Sequence, residues 1–249
     1  VDPAVEKGTL ENGLTYYIRE NSKPEGRAEL RLVVNAGSIL EREEQQGLAH
    51  FVEHMAFNGT ENFSKDAILD YLEGVGMRFG PDINAYTSFD ETVYKLQIPT
   101  EDPKTVEKGM KILSEWAFRI AFEAEEIEKE RGVIIEEWRL GRGARARLRE
   151  QYFPVLFKGS RYAERLPIGK KEIIENCDDE KLIQFYRDWY RPELMAVVAV
   201  GDFDGDEMFS LLKKHFSGAE GPKEPKKRIE YHVPDHDKTL YSVATDPEA

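Results

Sequence analysis

The amino-acid sequence predicts an α+β fold, in which a mainly antiparallel sheet is layered with helices. Segments typical of strands and of helices follow one another in blocks, whereas a doubly wound sheet would alternate them one by one. Two pairs of strand-like segments are separated by short turns, which indicates hairpins and antiparallel pairing. The chain is long enough to bury a sizeable core, as one large domain or two small ones. We expect residues 1–249 to form a single domain.

Strands are predicted where residues alternate between apolar and polar, or run apolar between turn signals. The first pair flanks Glu-Asn-Gly and the second pair flanks Phe-Asp-Glu, so each pair is expected to form a hairpin. The longest apolar stretch, over 194–200, suits a buried strand. In chain order, the predicted strands cover residues 9–10, 14–20, 29–35, 83–88, 92–98, 195–201 and 239–244.

Helices are predicted where apolar side chains recur every three or four residues. An Asn-Gly pair ends the first of them, and a serine precedes the second at a position that favours a helix start. The segment 218–227 is rich in glycine, proline, lysine and glutamate and is predicted to be a linker. The predicted helices cover residues 47–57, 65–73, 103–119, 123–149, 178–190 and 206–216.

Composition and charge narrow the class of protein. The formal net charge of −13 disfavours nucleic acid and anionic membranes as partners. No apolar run approaches the ~18 residues of a membrane-spanning helix, so no membrane span is expected. Cys177 is the single cysteine, which excludes an internal disulfide and leaves the compartment open. Because the chain begins with valine, we expect either a processed protein or part of a longer one.

The most informative motif is His50-Phe51-Val52-Glu53-His54, which has the pattern H-x-x-E-H. On a helix, the two histidines lie one turn apart on the same face and can direct both imidazoles at one metal ion. Zinc bound by two histidines needs a third protein ligand and keeps a position for water, which the glutamate can deprotonate. Helix histidines also occur at surfaces and in satisfied cores, so the motif alone leaves both possibilities open.

A third ligand is expected on the predicted helix over 123–149. Ile127, Glu130, Ile134 and Glu137 recur on one face of that helix. A carboxylate that shares a face with isoleucines is expected to be partly buried and to have a partner. The same helix carries several other glutamates, which is also typical of a solvated, charged helix. Spacing alone therefore does not choose the ligand.

Four segments, in order along the chain, carry a resemblance to a known family. They are the zinc motif and its continuation over 50–60, the Asn-Ala-Tyr-Thr-Ser strand over 84–88, the glutamate-rich helix over 128–137, and the strand and turn over 191–202. With these segments the chain resembles the pitrilysin/insulysin family of zinc metallopeptidases, the inverzincins. The resemblance extends from about Gly8 to the end of the chain.

The resemblance implies a role for each matching residue of the site. It implies that His50, His54 and Glu137 are the ligands of one zinc ion and that Glu53 is the general base. Glu130 matches another recurrent glutamate of the family, and the resemblance implies that it orients a ligand from outside the metal's own shell.

The resemblance also implies a zinc-dependent endopeptidase that acts on peptides or unfolded polypeptides. Asn84 and Ala85 match an edge strand beside the zinc, to which a substrate can add as a further strand. Family members work as a clamshell of homologous halves, each similar in length to this chain, which corresponds to the N-terminal, zinc-binding half. We therefore expect a homologous C-terminal half or second subunit as partner, and weak or no activity without it.

Two other functions are compatible with parts of the sequence. The family also contains non-catalytic partner subunits, but these lose motif residues, whereas His50, Glu53, His54 and Glu137 are all present here. The second alternative is a metal-binding or purely structural module. Similarity to bacterial members, many of them exported, favours a periplasmic location over a cytoplasmic one.

Overall fold

A six-stranded sheet forms the centre of the computed structural model, which describes residues 2–248. Its strands cross the sheet in the order first, second, sixth, third, fifth and fourth. Every neighbouring pair is antiparallel except the second and sixth strands, which are parallel. The predicted α+β class with a mainly antiparallel sheet is therefore confirmed. The strands are β1 (Glu6–Thr9), β2 (Thr15–Glu20), β3 (Arg27–Val34), β4 (Ile83–Thr87), β5 (Thr92–Pro99) and β6 (Met195–Gly201).

Helices pack on the sheet and on one another. The α-helices are α1 (Leu48–Ala56), α2 (Lys65–Gly74), α3 (Pro103–Phe118), α4 (Ala124–Leu140), α5 (Ala144–Leu156), α6 (Lys171–Asn176), α7 (Asp179–Trp189) and α8 (Gly205–Phe216). Helix α1 contacts β4 and β5, α3 contacts β3 and β5, and α8 contacts β2. Helices α4 and α7 in turn pack against α1. In the described part of the chain, no helix combines the length and the apolar character that crossing a membrane requires.

Strand alternation separates the core from the solvent. In β3, Ala28, Leu30, Leu32 and Val34 are buried, and the residues between them are exposed or half-buried. The central strand β6 repeats the same two-residue pattern. Each large aliphatic side chain buried in this way contributes about 1.5–3 kcal/mol to folding. The resulting rigid layer supports helix α1 and the edge strand β4.

Three predicted elements differ from the structure. The first strand was predicted over residues 9–10, and β1 instead covers Glu6–Thr9. Residues 123–149 form two helices because Gly141 ends α4 and Gly143 precedes α5, and glycine is a poor residue within a helix. Residues 239–244 form no strand, although the sequence alternates there. Tyr241 and Val243 are 84% and 91% exposed, so the apolar side chains of that segment do not pack against a neighbouring strand.

Candidate metal centre

Helix α1 places the H-x-x-E-H motif at the edge of the core. Its buried residues include Leu48, Phe51, Val52 and Met55, which fix the rotation of the helix. The two histidines lie on the remaining stripe and are only partly buried. Since the apolar side cannot turn outward without losing several kcal/mol of burial, the histidines must face away from the core.

The first turn of α1 is held by two residues outside the motif. Gly47 has a φ of 104°, which favours glycine, and a Cβ there would lie 3.0 Å from Ile174. The buried Glu41 carboxylate lies at the start of the helix, where Oε1 accepts from the backbone N–H groups of Gly47 (3.0 Å) and Ala49 (2.9 Å). These bonds pair amides that a helix start leaves free.

Three side chains converge at the exposed side of α1. The Nε2 atoms of His50 and His54 lie 3.1 Å apart. Glu137 Oε2, from α4, lies 3.7 Å from His50 Nε2 and 3.4 Å from His54 Nε2. Helix α4 brings Glu137 here because Ile127 and Ile134 on the same face are buried against the domain. The structure thus brings together the three residues that the resemblance implied as ligands.

The spacing of these atoms suits a single metal ion. Zinc bonds of ~2.0–2.2 Å to nitrogen and oxygen require neighbouring donors of a tetrahedral site to lie about 3.3–3.6 Å apart. The donor atoms of His50, His54 and Glu137 lie within 4.8 Å of one another, with the separations given above. Two imidazole nitrogens and one carboxylate oxygen are also a donor set that zinc accepts. The residues present therefore fit a zinc ion.

Glu130 supports His54 from the side opposite Glu137. Its Oε1 lies 2.7 Å from His54 Nδ1, and its Oε2 accepts from Asn58 Nδ2 at 2.8 Å. Asn58 Nδ2 also donates to the backbone carbonyl of His54 at 3.0 Å. A proton on Nδ1 that is donated to a carboxylate leaves the Nε2 lone pair free for a metal. Glu130 thus contacts His54, and its role outside the metal's own shell remains a prediction.

The protein groups alone give the two histidines opposite tendencies to bind a proton. Burial and the charge of His54 lower the pKa of His50 to about 4. Burial also opposes protonation of His54, but hydrogen bonds to Glu130 and Glu137 raise its pKa to about 9. The same contact with His54 lowers the pKa of Glu137. Two carboxylates therefore make the space around His54 favourable for a cation.

Glu53 lies in the same cavity and contacts strand β4. The cavity has a volume of about 350 Å³ and is lined by residues of α1, β4 and α4 and by Pro167 and Ile168. Glu53 is 8% exposed, and its Oε2 accepts a hydrogen bond of 2.6 Å from the Thr87 hydroxyl. Burial raises the pKa of Glu53, and the bond from Thr87 offsets part of that rise.

Strand β4 is an edge of the sheet and runs beside the cavity. Within residues 2–248, β5 is the one strand that pairs with β4, and Ile83 also bridges Phe79, so the outer edge of residues 84–87 is available for a further strand. Ala85 lines the cavity, on the same side of the strand as Ile83 and Thr87. The Asn84 side chain is exposed, and its Nδ2 donates to the carbonyl of Gly80 at 2.7 Å. Contact of Asn84 and Ala85 with a substrate remains a prediction.

Three residues that the sequence did not predict as parts of the site contact its members. They are Thr87 beside Glu53, Asn58 beside Glu130, and Glu41 at the start of α1. For Thr87 a signal existed, because strand alternation puts it on the same face as Ala85. For Glu41 and Asn58, the contacts depend on how a loop and helix α4 pack against α1.

Comparisons with known families agree with this geometry. The family description Insulinase (Peptidase family M16) matches residues 16–142, which include both histidines, Glu53 and Glu137. A second description, Peptidase M16 inactive domain, matches residues 176–248. Together the two matches extend over most of the chain.

Named relatives and a solved structure are similar over nearly all of this chain. The chain is 43% identical over 243 residues to a protein named zinc protease PQQL-like from Arabidopsis thaliana, covering 97% of this chain and 25% of the relative. It is 39% identical over 228 residues to the probable zinc protease PqqL of Escherichia coli strain K12, covering 92% of this chain and 24% of that protein. The chain thus spans about a quarter of the length of these curated relatives.

The crystal structure of the first half of the periplasmic protease PqqL from Escherichia coli superposes with a TM-score of 0.87 at 38% identity. The match covers 94% of this chain and 49% of that chain. The first half of this relative is therefore about twice as long as the present chain. From the sequence we expected each half to be similar in length to this chain. The fold, the arrangement of the motif and the family matches all agree, and the chain belongs to the insulinase family, peptidase family M16.

Proposed function

We propose that residues 1–249 form one domain, the zinc-binding part of a metalloendopeptidase. The observation that carries this proposal is the convergence of His50, His54 and Glu137 beside the buried carboxylate of Glu53. The predicted zinc cofactor is supported by the donor set and by the names of the relatives. Hydrolysis of peptide bonds is supported by the protease names of the same relatives.

In this proposal each residue has one chemical task. His50, His54 and Glu137 hold the zinc ion, and Glu130 keeps His54 in the tautomer with a free Nε2 lone pair. When bound, zinc lowers the pKa of a water ligand from ~15.7 to ~7 and polarises a carbonyl oxygen. Glu53 takes the proton of the attacking water on its carboxylate and then passes it to the leaving amine.

The substrate class follows from the edge strand. An extended peptide that pairs with β4 would lie beside the cavity that holds Glu53 and the two histidines. Such pairing uses backbone hydrogen bonds and places little demand on the substrate's sequence. We therefore propose peptides or unfolded polypeptides as substrates, with Asn84 and Ala85 in contact with them.

Residues at and beside the candidate site are exposed, so a partner is part of the proposal. Glu137 is half-exposed, and the neighbouring apolar residues Val133 and Leu140 of α4 are 52% and 73% exposed. We propose that a homologous domain, in the same chain or in a second subunit, covers these residues and completes the substrate chamber. By similarity to the periplasmic relative, we also propose a periplasmic location.

The decisive experiment replaces Glu53 by Gln in the assembled peptidase. The amide keeps the size of the side chain but cannot accept the proton, so we expect kcat to fall by about 10²- to 10⁴-fold. Zinc content, measured by metal analysis, should stay at one ion per chain. Replacing the exposed Glu73 of helix α2 by Gln is the matched control and should leave kcat unchanged.

Other outcomes would separate the alternatives. Unchanged hydrolysis by the Glu53→Gln variant would remove Glu53 from the mechanism. If the wild-type assembly binds zinc but hydrolyses no peptide, a non-catalytic metal-binding module is the better description. Full turnover by residues 1–249 alone would contradict the need for a homologous partner.

A further inference from the structure

We propose that Thr87 is a positioning residue for Glu53. Its hydroxyl fixes one oxygen of the carboxylate, Oε2, so that the other oxygen, Oε1, exchanges the proton with the attacking water and the leaving amine. This inference rests on the proposed function of Glu53 as general base. It adds a residue from the strand that borders the cavity to the residues of the motif helix.

The hydrogen bond between Thr87 and Glu53 is short. Its Oγ1 lies 2.6 Å from Glu53 Oε2. Hydroxyl-to-carboxylate bonds measure ~2.5–2.7 Å, and bonds between neutral hydroxyls are longer. The distance therefore suits a hydrogen bond that the Thr87 hydroxyl donates to Glu53 Oε2.

The direction of this bond follows from the neighbours of Thr87. The only hydroxyl directly across the ladder is that of Thr92, whose Oγ1 is 3.4 Å away and donates to the carbonyl of Ala36 at 3.0 Å. The single hydroxyl proton of Thr87 is thus directed at Glu53. Within residues 2–248, Glu53 Oε1 accepts no hydrogen bond from the protein, so this oxygen is free to take the proton from water.

Thr87 itself is held by rigid neighbours. It forms the last residue pair of the β4–β5 ladder, opposite Thr92. The following turn is fixed by two backbone bonds, from Ser38 N–H to the Ser88 carbonyl (3.1 Å) and from Ile39 N–H to the Phe89 carbonyl (2.9 Å). A glutamate has several rotatable bonds, and holding one oxygen on a rigid strand removes that freedom before the reaction begins.

The test compares two substitutions at Thr87 in the zinc-loaded, assembled peptidase. Thr87→Val keeps the shape of the side chain without its hydroxyl, and we expect kcat to fall about 10- to 100-fold, the effect of losing a bond to a charged group. KM should change less than about 2-fold, and zinc content should not change. Thr87→Ser restores the hydroxyl and should return kcat to within about 3-fold of the wild type.

Thr92→Val is the matched control. It makes the same substitution in the partner strand and removes the bond to Ala36 instead of the bond to Glu53. We expect it to lower the melting temperature and leave kcat nearly unchanged. An equal fall in kcat for Thr87→Val and Thr92→Val would overturn the proposal. The effect would then come from a disturbed β4–β5 pairing and not from the lost bond to Glu53.

A structural measurement gives a second, independent result. In the crystal structure of the Thr87→Val protein, the Glu53 carboxylate should leave its position while His50 and His54 keep theirs. An unmoved carboxylate would overturn the positioning role. If Glu53→Gln abolishes hydrolysis and Thr87→Val keeps the wild-type kcat, only this inference fails; if Glu53→Gln is fully active, the proposed function fails.

Discussion

The two histidines of the motif are one helical turn apart, yet the protein supports them in different ways. His54 is held by a side-chain relay, since its Nδ1 lies 2.7 Å from Glu130, which in turn accepts from Asn58. The buried Nδ1 of His50 has no hydrogen-bond partner within residues 2–248. Its position depends on the backbone of the first turn of α1, which Glu41 holds through two amides.

Because of this difference, substitutions near His54 and substitutions near His50 should change different measured properties. A group that fixes the tautomer of His54 acts on metal affinity, because it keeps a lone pair directed at the metal. A group that holds the start of the helix acts first on the stability of α1. Glu137 contacts both histidines, so its loss should lower zinc affinity most.

Glu137→Gln should cause the largest loss of zinc affinity. The substitution removes the negative charge and replaces the carboxylate, whose Oε2 lies 3.4 and 3.7 Å from the two Nε2 atoms, by a neutral amide that is a weaker zinc donor. We expect affinity to fall by more than the ~100-fold that marks the upper range for residues outside the metal's own shell. Competition for zinc with a chelator of known affinity measures this change.

The adjacent Glu136 provides the control for charge. It is 57% exposed and pairs with Arg139, so Glu136→Gln makes the same change on the same helix without touching the histidines. Zinc affinity of that variant should match the wild type. Unaltered affinity in the Glu137→Gln variant would move the third ligand elsewhere, with Glu130 the first candidate.

Glu130→Gln should cause the next largest effect and act through His54. A neutral amide is a weaker acceptor for the Nδ1 proton, and its NH₂ group favours the wrong tautomer if it turns toward the ring. We expect zinc affinity to fall about 10- to 100-fold in the same chelator competition. Glu125→Gln, at a 91% exposed position of α4, is the control. An effect as large as that of Glu137→Gln would make Glu130 a ligand.

Glu41→Gln tests how the first turn of α1, which carries His50, is held in place. Burial raises the pKa of Glu41 to about 8, although Gly47, Ala49 and the nearby Arg161 and Arg165 favour its ionised form. The pKa of Glu41 in the folded protein lies above the value of ~4.3 in the unfolded chain. Protonated Glu41 therefore stabilises the fold at low pH. That contribution is lost as pH rises toward about 8, with a steepest slope of ~1.4 kcal/mol per pH unit.

The neutral amide of Gln removes this titration. We expect the melting temperature of the wild type to fall from pH 5.5 to 7.5 by more than that of the Glu41→Gln variant. Thermal unfolding of residues 1–249, followed by circular dichroism at several pH values, measures the difference. Parallel pH profiles of the two proteins would contradict the assignment of the slope to Glu41.

The elements that the sequence predicted well are those determined by local patterns. Helix α1 and the shared face of Glu130 and Glu137 follow from apolar spacing, which survives in the structure because the same apolar residues are buried. The break between α4 and α5 was missed, although Gly141 and Gly143 are visible in the sequence, because charged residues continue on both sides.

The division of work between the two glutamates of α4 could not be predicted from spacing. Glu130 and Glu137 are seven residues, or about 10.5 Å, apart on one face, so both satisfied the same pattern. Only the packing of α4 across α1 shows that Glu130 meets the Nδ1 side of His54 and Glu137 meets the Nε2 side. Asn58 belongs to the Asn-Gly pair after the motif helix, but its contact with Glu130 depends on the same packing.

Asn58→Ala should have the smallest effect and test whether the relay behaves as one unit. Asn58 contacts the Glu130 side chain and the backbone carbonyl of His54, and the Glu130 carboxylate keeps its bond to the His54 ring when the amide is removed. We expect zinc affinity to fall about 3- to 10-fold, less than for Glu130→Gln. In the Glu130→Gln background, Asn58→Ala should then add little, because the group through which it acts has changed. Additive losses in the double variant would show that Asn58 supports His54 through its backbone carbonyl, independently of Glu130.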